Sequence, residues 1–217
     1  MATLNNANRP DVRAYIGATG SGKGVSIRAH LKATKPVRLL IWDPLAEYGK
    51  FARPCASLAA VIQGIAKAGD GPFALAYTLQ DGTDQKAAFA LLCSTASRAG
   101  NLTFLVEELA DVTQPSYAPP AWRRITTMGR HAGLSVIAAT QRPALVDKTF
   151  LGNATYVRVF TLREESDRRR MASAMAVPLD VINALQTVEK PNGTTITYYE
   201  RDFRTGERGE KTINIKR

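Results

Sequence analysis

Residues 17–24 read GATGSGKG. The apolar run VRAYIGA (12–18) leads into them, and KGVSIRAHLKAT (23–34) leads out with helical composition, ended by Pro36. A strand that turns through closely spaced glycines directly into a helix is the opening unit of an α/β fold. It restricts the rest of the chain more than any other stretch, because its strand needs parallel neighbours delivered by further strand–helix pairs.

The chain supplies those pairs. VRLLIWD (37–43), FALAYTL (73–79), LTFLVEE (102–108), LSVIAATQ (134–141) and TYVRVFTL (155–162) read as strands. SLAAVIQGIAKAG (57–69), DQKAAFALLCSTASRAG (84–100), the short WRRITTMGRHAG and the charged REESDRRRMASAM (163–175) read as helices, two of them closed by a glycine. DVTQPSYAPPAW (111–122), with three prolines and no periodicity, reads as an exposed loop. The tail TTITYYERDFRTGERGEKTINIKR alternates in two runs about a turn and predicts a β-hairpin. The expectation is one α/β domain over 1–217, with a core of about 12–175 and a C-terminal helix and hairpin over 176–217. Its sheet should be mainly parallel, with helices on both faces and ligands at the carboxyl ends of the strands.

The loop matches the phosphate-binding spacing G-x-x-x-x-G-K-[ST] at Gly17, Gly22 and Lys23 and breaks it at Gly24. Gly17, Ala18, Thr19, Gly20 and Ser21 would form the turn; Gly22, Lys23, Gly24 and Val25 would open the helix, whose N–H groups and partial positive charge favour an anion. Lys23 would reach the β- and γ-phosphates. The position of Gly24 normally holds a hydroxyl that helps bind Mg²⁺. Without it, Mg²⁺ must rely on Glu107, phosphate oxygens and water, with Ser26 as a further donor if the helix turns it inward.

Two further strands end in chemistry. LTFLVEE closes on Glu107, assigned to the metal, and Glu108, assigned to the attacking water. SVIAATQR closes on Gln141 and Arg142, and a Gln there can bond the γ-phosphate and sense its loss.

Composition narrows the partners. The 217 residues carry 29 Lys+Arg against 19 Asp+Glu, a formal charge of +10 that favours a polyanion, either nucleic acid or an anionic membrane surface. Cys55 and Cys93, with His30 and His131, are too few for a structural zinc site and predict small buried thiols in a reduced compartment. The opening MATLNNANRPDVRAYIG lacks the apolar stretch of a signal peptide, and no run approaches the roughly 18 apolar residues of a membrane span. A soluble, cytoplasmic protein is expected.

These residues resemble the HerA–FtsK class of ring-forming, DNA-pumping P-loop ATPases. The resemblance rests on GATGSGKG, LLIWDPLAEYG, FLVEEL and GRHAGLSVIAATQRPALVD, in that order, and covers roughly residues 12 to 170. It implies a RecA-like P-loop NTPase core, ATP and Mg²⁺ as cofactors, and a homo-oligomer, commonly a hexamer, threading double-stranded DNA without reading its sequence. It also implies Lys23 on phosphate, Glu107 and Glu108 on metal and water, Gln141 as sensor, and Arg130 as an arginine finger reaching a neighbouring subunit. Arg123, Arg124 and Arg142 are reserve fingers, Glu47 a supporting carboxylate, and the 111–122 loop with Trp122, Arg123 and Arg124 a channel-facing element. The compact chain is most similar to the genome-packaging ATPases of tailless, membrane-containing phages, which would add a viral vertex or portal complex as partner; a filamentous-phage assembly ATPase is the related alternative.

Two other classes compete. Nucleoside-monophosphate kinases of the adenylate kinase type carry G-x-x-G-x-G-K-G-T, but here Val25 follows Gly24 where they have Thr, and Asp81-Gly82-Thr83-Asp84 is a poor substitute for their D-G-F-P-R segment. A nucleotide-binding switch that does not pump is the second.

Overall fold

The computed structural model describes residues 11–216; the polar stretch 1–10 and Arg217, the last residue of the expected hairpin, lie outside the described residues. Ten strands form one sheet. Strand β1 (Asp11–Ile16) is central, flanked in parallel by β6 (Ser135–Thr140) and β7 (Tyr156–Val159). Beyond β6 come β5 (Thr103–Val106), β2 (Arg38–Trp42), β4 (Phe73–Tyr77) and the short edge strand β3 (Arg53–Cys55), all parallel. Beyond β7 the sheet turns antiparallel through β9 (Gly193–Asp202), which pairs with both β8 (Thr187–Lys190) and β10 (Arg208–Lys216).

Period-two alternation sorts the strand residues onto the two faces. Ala14, Leu40, Phe104 and Val136 join one core. Tyr15, Ile41, Leu105 and Ile137 join the other. Helix α1 (Lys23–Thr34) covers the second face with Ile27 and Leu31, beside Tyr48 and the hairpin residues Ile196 and Tyr198. The first face carries α2 (Leu58–Ala68), α3 (Gln85–Ala99), α4 (Pro120–Met128), α5 (Lys148–Asn153), α6 (Glu165–Met175) and α7 (Leu179–Asn183). Helices do lie on both faces, though very unequally among the described residues.

The helix ends follow their sequence signals. Ser57 accepts from the N–H of Ala60 and Asp84 from that of Ala87, and Gly69 and Gly100 close the same helices. Elements β3, β8 and α5, of three to six residues, are ones the sequence pattern did not predict, whereas α7 falls within the range expected for a C-terminal helix.

The exposed loop expected over 111–122 is corrected. Val112, Thr113 and Ala118 are buried, and Trp122 belongs to α4 with no exposed surface. Its ring packs 5.5 Å from Phe89 and 5.8 Å from Phe150, centroid to centroid. Trp122 is a core residue and cannot face a channel; Arg123 and Arg124, on the opposite side of the same turn, are exposed.

Candidate functional site

The carboxyl ends of β1, β6, β5 and β2, four neighbours in the sheet, deliver the chemistry-bearing residues to one cleft of about 400 Å³. That is the size of an ordinary small-molecule site. Strand β6 stands between β1 and β5, so Gln141 lies between the phosphate loop and the carboxylates.

The loop is tied down on both sides: Gly17 N–H donates to Thr140 O at 3.1 Å and Ala18 N–H to Thr161 O at 2.9 Å. Gly22 caps α1 at φ +104°, a left-handed backbone that glycine adopts without strain. Ala18, Thr19, Gly20, Gly22, Lys23, Gly24 and Val25 all line the cleft. Gly17 and Ser21 do not; Ser21 is buried, and its hydroxyl is a buried oxygen without a protein partner. Lys23 is only 8% exposed and lines the cleft. A buried ammonium and a nest of backbone N–H groups at a helix N-terminus are a fit for an anionic phosphate chain.

Glu107 and Glu108 both face the cleft. A continuing strand would send them to opposite faces. Glu108 instead takes φ +47°, turning the chain off β5 into the 3-10 turn Leu109–Asp111. Gln141 bridges the site: its Nε2 donates to Glu108 Oε1 at 2.8 Å, and its Oε1 accepts from Thr19 Oγ1 at 2.6 Å. One side chain thereby joins the loop, β6 and β5.

Glu107 is held differently. Tyr48 donates its hydroxyl to Glu107 Oε1. Burial pushes the Glu107 carboxyl up to about 7, with Glu108 and Glu47 adding to the rise, against the Tyr48 hydrogen bond and the Lys23 charge. Burial and the Glu107 charge together push the Tyr48 hydroxyl far up, so it stays protonated and donating. Asp43 builds the turn that presents Tyr48: its carboxylate, 1% exposed, accepts from the N–H of Glu47 at 2.9 Å and of Tyr48 at 3.0 Å. Asp43 and Glu47 both line the cleft.

For Mg²⁺ the donor set is thin. Gly24 offers no hydroxyl, and Ser26 does not stand in for it. Ser26 turns under α1, where its hydroxyl accepts from Arg158 Nη1. Glu107 remains as one carboxylate beside the phosphate position, the minimum for a cation held chiefly by phosphate oxygens and water.

The arginines separate. Arg142 donates to Asp167 at 2.8 Å, fastening β6 to α6. Arg130 is exposed on the 3-10 turn Gly129–Ala132 that precedes β6, with Nε 3.4 Å from His131 Nε2. The six residues of β6, about 20 Å at 3.3 Å per residue, separate that turn from Gln141. Arg130 therefore cannot reach its own chain's cleft.

Three features escaped the sequence reading. Tyr48 sits on Glu107. Arg28 lines the cleft next to Gly24. The C-terminal strands wall the cleft through Thr187, Thr194, Ile196 and Ile215. Pairing of β9 with β7, the neighbour of β1, places the hairpin against the loop. A local signal existed only for Tyr48, in the Asp-Pro-x-x-Glu-Tyr turn.

Comparison with known proteins places this geometry. No family model matches the chain. It is 30% identical over 202 residues to Protein P9 of Pseudoalteromonas phage PM2, covering 93% of this chain and 89% of that protein. Among solved structures it resembles the genome packaging NTPase B204 of Sulfolobus turreted icosahedral virus 2, determined with ATP-gammaS, at TM-score 0.70 and 21% identity over 93% of this chain and 96% of that one. VirB4 of Thermoanaerobacter pseudethanolicus shares the fold at TM-score 0.58 and 14% identity, over 99% and 91%. The chain belongs to the family of protein P9 of phage PM2, and it shares the fold of the packaging NTPase B204.

Proposed function

We propose that the protein is an ATP-driven DNA translocase of the genome-packaging kind, working as one subunit of a homo-oligomeric ring, with six subunits as the expected number. The observation that carries this reading is the convergence of the phosphate loop, Lys23, Glu107, Glu108 and Gln141 on one cleft. The viral packaging NTPase of the same fold, determined with an ATP analogue, supports ATP as the ligand.

The loop N–H groups and Lys23 hold the triphosphate. Glu107 would hold Mg²⁺ together with phosphate oxygens, and the cation would supply neutralising charge for the transferred phosphoryl group. Glu108 orients and deprotonates the attacking water. Gln141, bonded to both Glu108 and Thr19, registers whether the γ-phosphate is present. Arg130 acts as the finger on the adjacent subunit's nucleotide, and its distance from its own cleft is what such a role requires. The charge of +10 supports a sequence-tolerant phosphate-backbone contact, with Arg123 and Arg124 as exposed candidates. Among the described residues no helix is long and apolar enough to cross a membrane, and the host cytoplasm is the proposed compartment.

Gly24 and the engagement of Glu107 by Tyr48 favour a second reading, a nucleotide-bound switch that does not pump. Glu108→Gln separates the two. A motor keeps ATP binding and loses turnover by ~10²–10⁴-fold, the usual contribution of a general base. A wild type that binds ATP with no turnover to lose, with or without DNA, establishes the switch instead.

A further inference from the structure

Gly24 removes the hydroxyl that a phosphate-binding loop normally offers a cation, and the structure fills the adjoining space with a charge. A Cβ built on residue 24 would stand 3.1 Å from Arg28 Nη1 and 3.2 Å from Nη2. Arg28 lies one turn further along α1 and lines the same cleft as Lys23, Glu47 and Glu107. Its charge is felt at the Tyr48 hydroxyl, the donor to Glu107.

The guanidinium is uncommitted. Arg38, Arg142, Arg158 and Arg201 each hydrogen-bond to protein groups. Arg28 makes no hydrogen bond or ion pair among the described residues, although five carboxylates line the cleft with it. A planar cation with five donors, held half-buried beside a phosphate loop without a protein acceptor, is chemically complementary to phosphate oxygens.

We propose that Arg28 is a phosphate ligand of the nucleotide site, its guanidinium taking the β/γ-phosphate charge on the side of the loop where Gly24 offers no hydroxyl. The proposal rests on the nucleotide reading above and deepens it. Glycine at 24 and arginine at 28 then form one device: a side chain at 24 crowds the guanidinium, which must give way by at least a few tenths of an ångström. The triphosphate is held with less reliance on a divalent cation than a loop ending in Ser or Thr requires.

The test is calorimetric binding of ATP and AMP to the full chain in EDTA, and again along a Mg²⁺ titration, for wild type, Lys23→Ala, Arg28→Ala, Arg28→Lys, Gly24→Ser and Gly24→Ser/Arg28→Ala. Arg28→Ala should weaken ATP in EDTA by about tenfold or more, the usual worth of a charge-assisted hydrogen bond, while AMP is unaffected. Arg28→Lys should recover part of the loss. Gly24→Ser should weaken ATP in EDTA and lower the Mg²⁺ concentration needed for tight binding, and adding Arg28→Ala to it should change little more. ATP affinity within twofold of wild type in Arg28→Ala, with Lys23→Ala impaired, overturns the role of Arg28 and leaves the nucleotide site standing. No ATP binding by wild type in either condition overturns both.

Discussion

Gln141 donates to Glu108 at 2.8 Å across the carboxyl ends of β6 and β5, and the same amide accepts from Thr19 on the phosphate loop at 2.6 Å. The proposed base is thus positioned by a residue that also touches the nucleotide loop. Gln141→Ala should lower turnover while leaving ATP affinity within a few-fold, because the loop and Lys23 remain. Gln141→Glu should be worse, since it places a second carboxylate against Glu108. Steady-state hydrolysis alongside calorimetric affinity checks both; equal losses in affinity and turnover would assign Gln141 to binding alone.

Gly22 tests how closely the C-terminal strands abut the loop. An added Cβ would meet Ile196 Cδ1 at 2.7 Å, and the φ of +104° is strained for any other residue. Gly22→Ala should lower Tm and weaken ATP binding, with the backbone part costing ~1–2 kcal/mol. Adding Ile196→Ala should recover the contact part and leave the backbone part. Thermal unfolding of the two single variants and the double variant separates them, and full recovery would contradict the backbone strain.

Glu200 on β9 anchors the hairpin to the sheet and, through Arg158, to Ser26 on α1. Arg158 donates to it at 2.6 Å and Lys211 pairs with it at 2.5 Å. Burial pushes the Glu200 carboxyl up, but the hydrogen bonds from Lys211, Tyr156 and Arg158 outweigh burial and hold it below its ordinary 4.5. A carboxyl depressed in the folded state stabilises the fold above its unfolded value and loses that contribution as pH falls through the folded one. The Tm difference between wild type and Glu200→Gln should therefore be largest near neutral pH and shrink below pH 4.5. A difference independent of pH would show that the carboxylate charge is not what stabilises.

Trp122 is packed among Phe89, Phe104 and Phe150, and its indole N–H is a buried donor without a protein partner. Trp122→Ala should cost ~3–5 kcal/mol, as truncation of a buried aromatic side chain does. Trp122→Phe should cost distinctly less, because it keeps an aromatic ring and removes the unpaired donor. Chemical denaturation of both variants measures the gap, and similar losses would show that volume alone decides.

The parts legible in the sequence were those written in local spacing. The run from β1 through the loop into α1, the β5 carboxylates and the β6 glutamine each stand within a few residues of a periodic apolar segment, so strand direction alone carried them to one edge. What escaped is tertiary. Tyr48 meets Glu107 across 59 residues and Ser26 meets Arg158 across 132. Ser26 was a candidate metal ligand, but helical phase turns it under α1 toward β7. The prolines of 111–122 suggested exposure, whereas burial there follows from the aromatic cluster supplied by α3, β5 and α5. Gly24 read as a loss, and only the placement of Arg28 shows what occupies the space.

The central claim is a shared ATP site that drives movement on DNA. It is tested most directly by ATP hydrolysis at low salt, with and without double-stranded DNA, for wild type, Lys23→Ala, Arg130→Ala and an equal mixture of the two variants. The account predicts DNA-stimulated hydrolysis by wild type and its loss in each variant, by ~10³–10⁵-fold for an arginine finger. The mixture should partly recover, because an intact Arg130 from one chain then meets an intact Lys23 site on another. Wild-type rates in Arg130→Ala, or no recovery in the mixture when both variants still assemble, would contradict it.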